Sequence, residues 1–242
     1  MTQAKRDAAA HTAHARGEPG RRPESIVGRL LRAQEEERRR IAREVHDDIG
    51  GRITEMALVI RRVAGRAALS NKSLAEDLEK LLNKVEEAAK SVRRMSHQLH
   101  SPVLKIAGVV AGLESLCREF ETSTGVSVRF TASGAFADVS GETALCVYRI
   151  AQEALTNIAK HSAAAEAGIR LERLAGRVQI TINDSGVGFA PDFAQREGLG
   201  LVSMEERARL LHGEFHVQSQ PGRGVCIQAI LPVSPPDPSS PA

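Results

Sequence analysis

Four small groups of residues in this 242-residue chain have the types and spacing to do chemistry. The first is His46-Asp47. A carboxylate next to an imidazole can hold one ring N–H, fix the tautomer and leave the other nitrogen as a nucleophile. The second is Asp184-Ser185-Gly186-Val187-Gly188-Phe189, directly after a strand-like run. It offers a carboxylate acceptor and a backbone free to approach a ligand closely. The third is Gly198-Leu199-Gly200, which opens a helical run whose free N–H groups and dipole favour phosphate. The fourth is Glu153, Asn157, Lys160 and His161, where steps of four and three place the first three on one helix face. Carboxylate, amide oxygen and ammonium together suit Mg²⁺ and a polyphosphate. Each group alone also reads as a solvated helix face or an ordinary turn. Neither GxGxxG nor GxxxxGK[ST] is present.

The elements that must position these groups fall into two parts. From Ser25 the pattern is helical, and Ile41, Val45, Ile49, Ile53, Met56, Ile60 and Val63 recur at steps of four, four, four, three, four and three. His46 lies about 100° round from that stripe. Upstream, EEERRR (35–40) is rich in candidate i,i+4 ion pairs. Gly65 and Ser70-Asn71 mark a break, and Ser73 with Glu76 reads as a capping box. Leu74, Leu78, Leu81, Val85, Ala88, Val92, Met95 and Leu99 then alternate four and three up to Ser101-Pro102. One helical hairpin cannot bury both stripes. Two can, so a homodimeric four-helix bundle is expected.

After Pro102 the pattern changes to helices over 109–122, 141–161 and 199–211, and to strands over 126–131, 167–174, 177–183, 214–219 and 225–231. This predicts an α+β sandwich on a mostly antiparallel sheet. The expected divisions are a disordered tail (1–24), the hairpin (25–104), the sandwich (105–233) and a second disordered tail (234–242).

Composition narrows the classes. Lys plus Arg (33) nearly balances Asp plus Glu (30), and aromatics are 3%, against a dedicated nucleic-acid binder. Three cysteines without CxxC spacing argue against a disulfide framework or zinc ribbon and fit a reducing cytosol. No apolar run approaches the ~20 residues of a membrane span, and the N-terminus has no signal-peptide core.

The order of these groups resembles the bacterial two-component sensor histidine kinases, in particular those that partner LuxR/NarL-type response regulators; by that resemblance no sensor domain is visible, so a missing sensor segment or a separate sensor protein is expected. The resemblance is carried by EEERRRIAREVHDDIGGRIT (35–54), SHQLHSPVL (96–104), YRIAQEALTNIAKHS (148–162), DSGVGF (184–189), GLGLVSMEERARLLHG (198–213) and SQPGRGVCIQAILP (219–232). It implies a phosphoacceptor hairpin followed by an ATP-binding domain of the GHKL (Bergerat) type, the fold shared with DNA gyrase. It also implies ATP and Mg²⁺ as ligands and transfer of the phosphoryl group to a receiver-domain aspartate. On this resemblance His46 is the phosphoacceptor and Asp47 orients or deprotonates it. Asn157 ligates the metal, with Glu153 near it, and Lys160 and His161 lie close to phosphates or ribose. Asp184 accepts from the adenine amino group, Gly186 and Gly188 shape that pocket, and Gly198 and Gly200 flank the phosphates after a short lid.

Two positions depart from the family pattern. Gly51 stands where members that dephosphorylate their partners carry Gln, so phosphatase chemistry through that position is not expected. Gly50-Gly51 also weakens the helix by about 1 kcal/mol per residue against Ala. Val225 replaces the usual Thr after the last glycine turn and cannot donate a hydrogen bond to a nucleotide. The readings that remain open beside a kinase are a dimeric ATP-binding switch with little autokinase activity and a Ser/Thr kinase of the same ATP-binding class.

Overall fold

The computed structural model describes residues 25–69, 71–99, 102–190 and 199–234. The expected tails, apart from Ser234, lie outside them, as do Ser70 and Gly198. Among the described residues, no helix is long and apolar enough to cross a membrane.

Helix α1 (Ile26–Glu44) starts where the Ser25 hydroxyl accepts from Gly28 N, 2.9 Å away. It passes through one π-helical turn (Val45–Gly50) into α2 (Gly51–Ala67). The turn carries the backbone of His46, and Thr54 Oγ1 donates to the Gly50 carbonyl (2.9 Å) just beyond it. After a short connection α3 (Lys72–Leu99) runs back. Its cap differs from the expected Ser73–Glu76 box: Leu74 N donates to Asn71 Oδ1 (3.1 Å), so Asn71 is the capping residue. The Asn side chain reaches the third helical N–H from one residue before the helix, which Ser73, already inside it, cannot do.

The hairpin stripes are each split in two. Ile53, Ile60, Leu78, Val85 and Val92 are half-buried between α2 and α3, while Met56, Val63, Leu74, Leu81 and Met95 are exposed. A step of three followed by four places alternate residues on either side of a seam, so half of each stripe faces away from the hairpin's own partner helix.

Helix α4 (Pro102–Thr124) is longer than the expected 109–122 and is broken at Gly108, whose backbone (φ 82°, ψ −179°) is not helical. Pro102 opens it, the one helical position where a missing N–H costs nothing. Then follow β1 (Ser127–Ser133), α5 (Gly141–Asn157) with a second π-helical turn (Ile158–Ser162), β2 (Glu166–Leu174), β3 (Arg177–Asp184), α6 (Leu199–Leu210), β4 (Glu214–Ser219) and β5 (Val225–Pro232). The sheet order is β1-β2-β3-β5-β4, parallel only between β1 and β2. The α+β expectation therefore holds.

One sheet face packs against α4, α5 and α6. Ile169, Leu171, Val178, Ile180, Ala229 and Leu231 from the strands meet Leu113, Val147, Ile150, Leu155 and Met204 from the helices. Each large aliphatic side chain so buried contributes about 1.5–3 kcal/mol. The N-terminus of α5 is tied to the end of β5: Ser140 N donates to Val233 O (2.8 Å) and Thr143 Oγ1 to Pro232 O (2.9 Å).

Candidate functional site

A cavity of about 590 Å³ opens where the C-terminal end of α5, the end of β3, the start of β5 and the start of α6 meet. Its wall is mostly apolar, with Ala154, Ile158, Ile182, Phe189, Leu201 and Ile227. Asn157, His161, Ser162 and Asp184 are its polar points. That composition suits a flat apolar ring with a few fixed polar groups.

Asp184 ends β3 and is buried. Burial pushes its carboxyl above the ordinary aspartate value, against the pull of the Gly186 and Val225 backbone N–H groups. Gly186 N donates to Asp184 Oδ1 at 2.8 Å, which fixes one oxygen.

The loop after Asp184 is strapped on both sides. Val187 N donates to Ser162 O (2.8 Å), Gly222 N to Val187 O (2.6 Å), and Phe189 N to Ser219 Oγ (2.8 Å). The glycines serve these straps. A Cβ on Gly186 would lie 2.1 Å from Ser162 O, and one on Gly188 (φ 58°) 2.1 Å from Gln220 O. The close approach expected toward a ligand is thus first an approach to the protein's own backbone. Gly188 lines the cavity and Gly186 packs behind it.

Glu153 and Asn157 come together beneath the start of α6 as the spacing predicts, and of the two Asn157 lines the cavity. A Cβ on Gly200 would stand 2.5 Å from Glu153 Oε1 and 3.4 Å from Asn157 Nδ2, so the first turn of α6 lies directly over both. The expected sharing of that face by Lys160 is corrected. The π-helical turn widens the helix after Asn157, so a step of three no longer returns to the same face. Lys160 is exposed and does not line the cavity, whereas His161 does. Gly198 lies outside the described residues. Val225 lines the cavity beside Asp184, its partner across the β3–β5 ladder. Among the described residues no cluster of three or more His, Cys, Asp or Glu could hold a metal by itself. The oxygens of Glu153 and Asn157 are nonetheless hard donors of the kind Mg²⁺ takes alongside phosphate and water.

His46 and Asp47 sit elsewhere, on the π-helical turn of the hairpin, with Asp47 exposed. Sequence reasoning missed two groups. Ser162 and Ser219 anchor the loop, and their signal was their position at the ends of the quoted motifs. Glu35 and Arg149 join the two parts of the molecule: Arg149 Nε and Nη2 donate to the two Glu35 oxygens at 2.9 and 2.8 Å. No spacing in the sequence pairs residues so far apart.

Comparison with known proteins matches residues 37–104 to a family described as Histidine kinase. Residues 142–235 match one described as Histidine kinase-, DNA gyrase B-, and HSP90-like ATPase. The chain is 33% identical over 227 residues to the sensor histidine kinase MctS of Rhizobium johnstonii, covering 92% of this chain and 49% of that protein. It is 28% identical over 221 residues to the signal transduction histidine-protein kinase/phosphatase DegS of Brevibacillus brevis, covering 90% of this chain and 56% of that one. The chain thus spans about half the length of these relatives. Among solved structures, the histidine kinase domain of a blue-light activated kinase from Erythrobacter litoralis aligns at 20% identity and a TM-score of 0.48, covering 76% of this chain and 94% of that one.

Proposed function

We propose, from the premise that this chain belongs to the histidine kinase family, that it transfers the γ-phosphoryl group of ATP to its own His46 and then to an aspartate of a response regulator. One observation supports this most. A buried Asp184, Asn157 and the start of α6 border one cavity, Glu153 lies against Gly200 of that helix start, and a His-Asp pair stands apart on a separate helix. A nucleotide site and a nucleophile on two different bodies is what phosphoryl transfer by positioning requires.

In this reading the Asp184 carboxylate accepts from the adenine amino group, and the apolar wall holds the ring. The N–H groups at the start of α6 face the phosphates. Asn157, with Glu153, holds Mg²⁺, which offsets phosphate charge when bound. The free nitrogen of His46 attacks the γ-phosphorus, the bond to the β–γ bridging oxygen breaks, and ADP leaves. Asp47 steadies the other ring nitrogen and its proton. The phosphohistidine is energy-rich and passes its phosphoryl group to a receiver-domain aspartate, of the LuxR/NarL class by the resemblance. The exposed halves of the hairpin stripes, Met56, Val63, Leu81 and Met95, meet their equivalents in a second copy to form a four-helix bundle. The relative DegS carries phosphatase in its name. Gly51 supplies no side chain to position a water, so the reading here is a kinase without that activity through this position.

The test is labelling with γ-labelled ATP and Mg²⁺, wild type against His46→Gln. An acid-labile, base-stable label absent from the variant supports the reading. ATP binding without any label selects a nucleotide-dependent switch instead.

A further inference from the structure

Ser96 of α3 is a polar residue in an apolar seam. It is 4% exposed, and its hydroxyl donates to the Ala42 carbonyl of α1 at 3.1 Å. A serine inside a helix ordinarily faces water or bonds back to the carbonyl four residues earlier on its own helix. Here it reaches across the hairpin instead. Ala42 is itself buried and carries only a methyl group, which lets the two helices approach closely enough for that contact. The same carbonyl accepts from Val45 N. In a regular α-helix it would be the acceptor for the N–H of His46, four residues on.

The helix changes form at this place. Val45–Gly50 make the π-helical turn, and His46 is its second residue. A side chain that enters the i→i+4 ladder loosens it locally, and Ser96 does so just before the turn opens. At the far end of the turn Thr54 Oγ1 donates to the Gly50 carbonyl at 2.9 Å. A hydroxyl therefore holds the wide turn at each end, with His46 between them. On the α2 side Ile53 and Ile60 are half-buried against α3, so that side is not free to rotate. A π-helical turn takes about one residue more than an α-helical one. Were it to tighten, the α1 side, His46 included, would swing by about 100° relative to α2.

We propose that Ser96 is a positioning residue for phosphoryl transfer: by holding the Ala42 carbonyl, its hydroxyl keeps the π-helical turn open and so fixes the bearing of the His46 backbone for attack on the γ-phosphorus. The inference rests on the kinase reading above. In-line transfer draws most of its rate from alignment of the reacting atoms, so a change of bearing is costly even when both reactants are present and intact. Ser96 acts only through the peptide group it holds. Thr54 supports the same turn from an exposed position, where water competes for the Gly50 carbonyl. The buried Ser96 contact meets no such competition and carries more of the task.

The test follows His46 in the full chain with two phosphoryl donors. Bound ATP offers its γ-phosphoryl group from one direction, whereas phosphoramidate diffuses freely, loses ammonia and needs no fixed bearing. Ser96→Ala is expected to lower the initial rate of labelling at saturating ATP about 10–100-fold. ATP affinity and the phosphoramidate rate at His46 should stay as they are, and the backbone NMR shifts of residues 45–50 should change through Gly50. Ser96→Thr, which keeps the hydroxyl, should retain the ATP rate. Ser96→Cys keeps the shape with only a weak donor, should behave as Ser96→Ala, and covers the case in which that variant fails to fold. Thr54→Val gives a smaller fall in the same sense. An ATP rate unchanged in Ser96→Ala and Ser96→Cys overturns the proposal, as do equal falls with both donors or backbone shifts that stay in place. Absence of label from ATP in every variant, wild type included, refutes the kinase reading, while the backbone shifts still decide whether Ser96 holds the turn.

Discussion

In the sandwich, Leu113, Ile150, Leu171, Val178, Ile180 and Leu231 have no solvent contact at all. On the hairpin, Met56, Leu81 and Met95 keep 54%, 46% and 60% of their surface. Both regions are written with regular apolar periodicity, so the difference is not one of pattern. The sandwich's pattern is complete within one chain, because five strands and three helices close on each other. The hairpin's pattern is half answered, since two helices offer each other only one side of a two-sided seam. The sandwich is therefore expected to be a folding unit in its own right. On the proposed dimer, the hairpin's stability is expected to depend on association and hence on concentration.

The largest break in this comparison is Ile180→Ala. A cavity in a closed core costs about 2–5 kcal/mol. Urea denaturation of the sandwich should show it as a lowered midpoint, while sedimentation still reports a dimer. Next is Asp184→Asn, which keeps an oxygen for Gly186 N but loses the charge. Nucleotide affinity is expected to fall about 10–100-fold by titration calorimetry, as for loss of a charge-assisted hydrogen bond of about 1.5–3 kcal/mol. The pH dependence of the wild type sharpens the point. Burial raises the Asp184 pKa above 3.8. Nucleotide affinity should therefore decline on acidification through that raised value. The sandwich's own stability gains over the same window, because the cost of a buried carboxylate disappears on protonation. In Asp184→Asn both dependences should flatten. Leu81→Glu acts on the other region: it should shift the chain toward monomer at micromolar concentration and leave nucleotide affinity as it is. The smallest effect is Gly51→Ala. Gly51 has helical angles (φ −60°, ψ −51°) and open space where a Cβ would be. Thermal denaturation should show a gain of about 1 kcal/mol in the hairpin.

Much of this was legible in the sequence for a physical reason: periodicity reports which residues share a face. The strands and helices of the sandwich appear within a few residues of their expected ends, apart from α4, which starts seven residues early, and so does the Asp184 loop. The π-helical turn at Val45–Gly50 was legible too, in retrospect. Ile41, Val45, Ile49 and Ile53 are spaced by four three times running. On an α-helix each such step overshoots by about 40°, and a wider turn absorbs the drift. The second π-helical turn left no such trace, and Lys160 was misplaced for that reason. The roles of Gly186 and Gly188 were hidden because a glycine says only that a side chain is unwelcome, not which neighbour excludes it. The Glu35–Arg149 pair was invisible because ion pairs between distant segments obey tertiary geometry and have no sequence period.

The break at Gly108 has a mechanical consequence. Every covalent path from the hairpin to the sandwich runs through this residue. Its φ of 82° suits glycine, and nothing lies within 4 Å of where a Cβ would stand. Two backbone torsions at one point therefore aim a body of about 125 residues, whose radius of gyration is about 14 Å. At that radius a rotation of about 30° carries the body's rim about 7 Å. With Leu104, just before it, packed into the sandwich core, the joint would act as a lever only once that side chain lets go, turning a small torsion beside the hairpin into a displacement larger than a phosphate group at the far end.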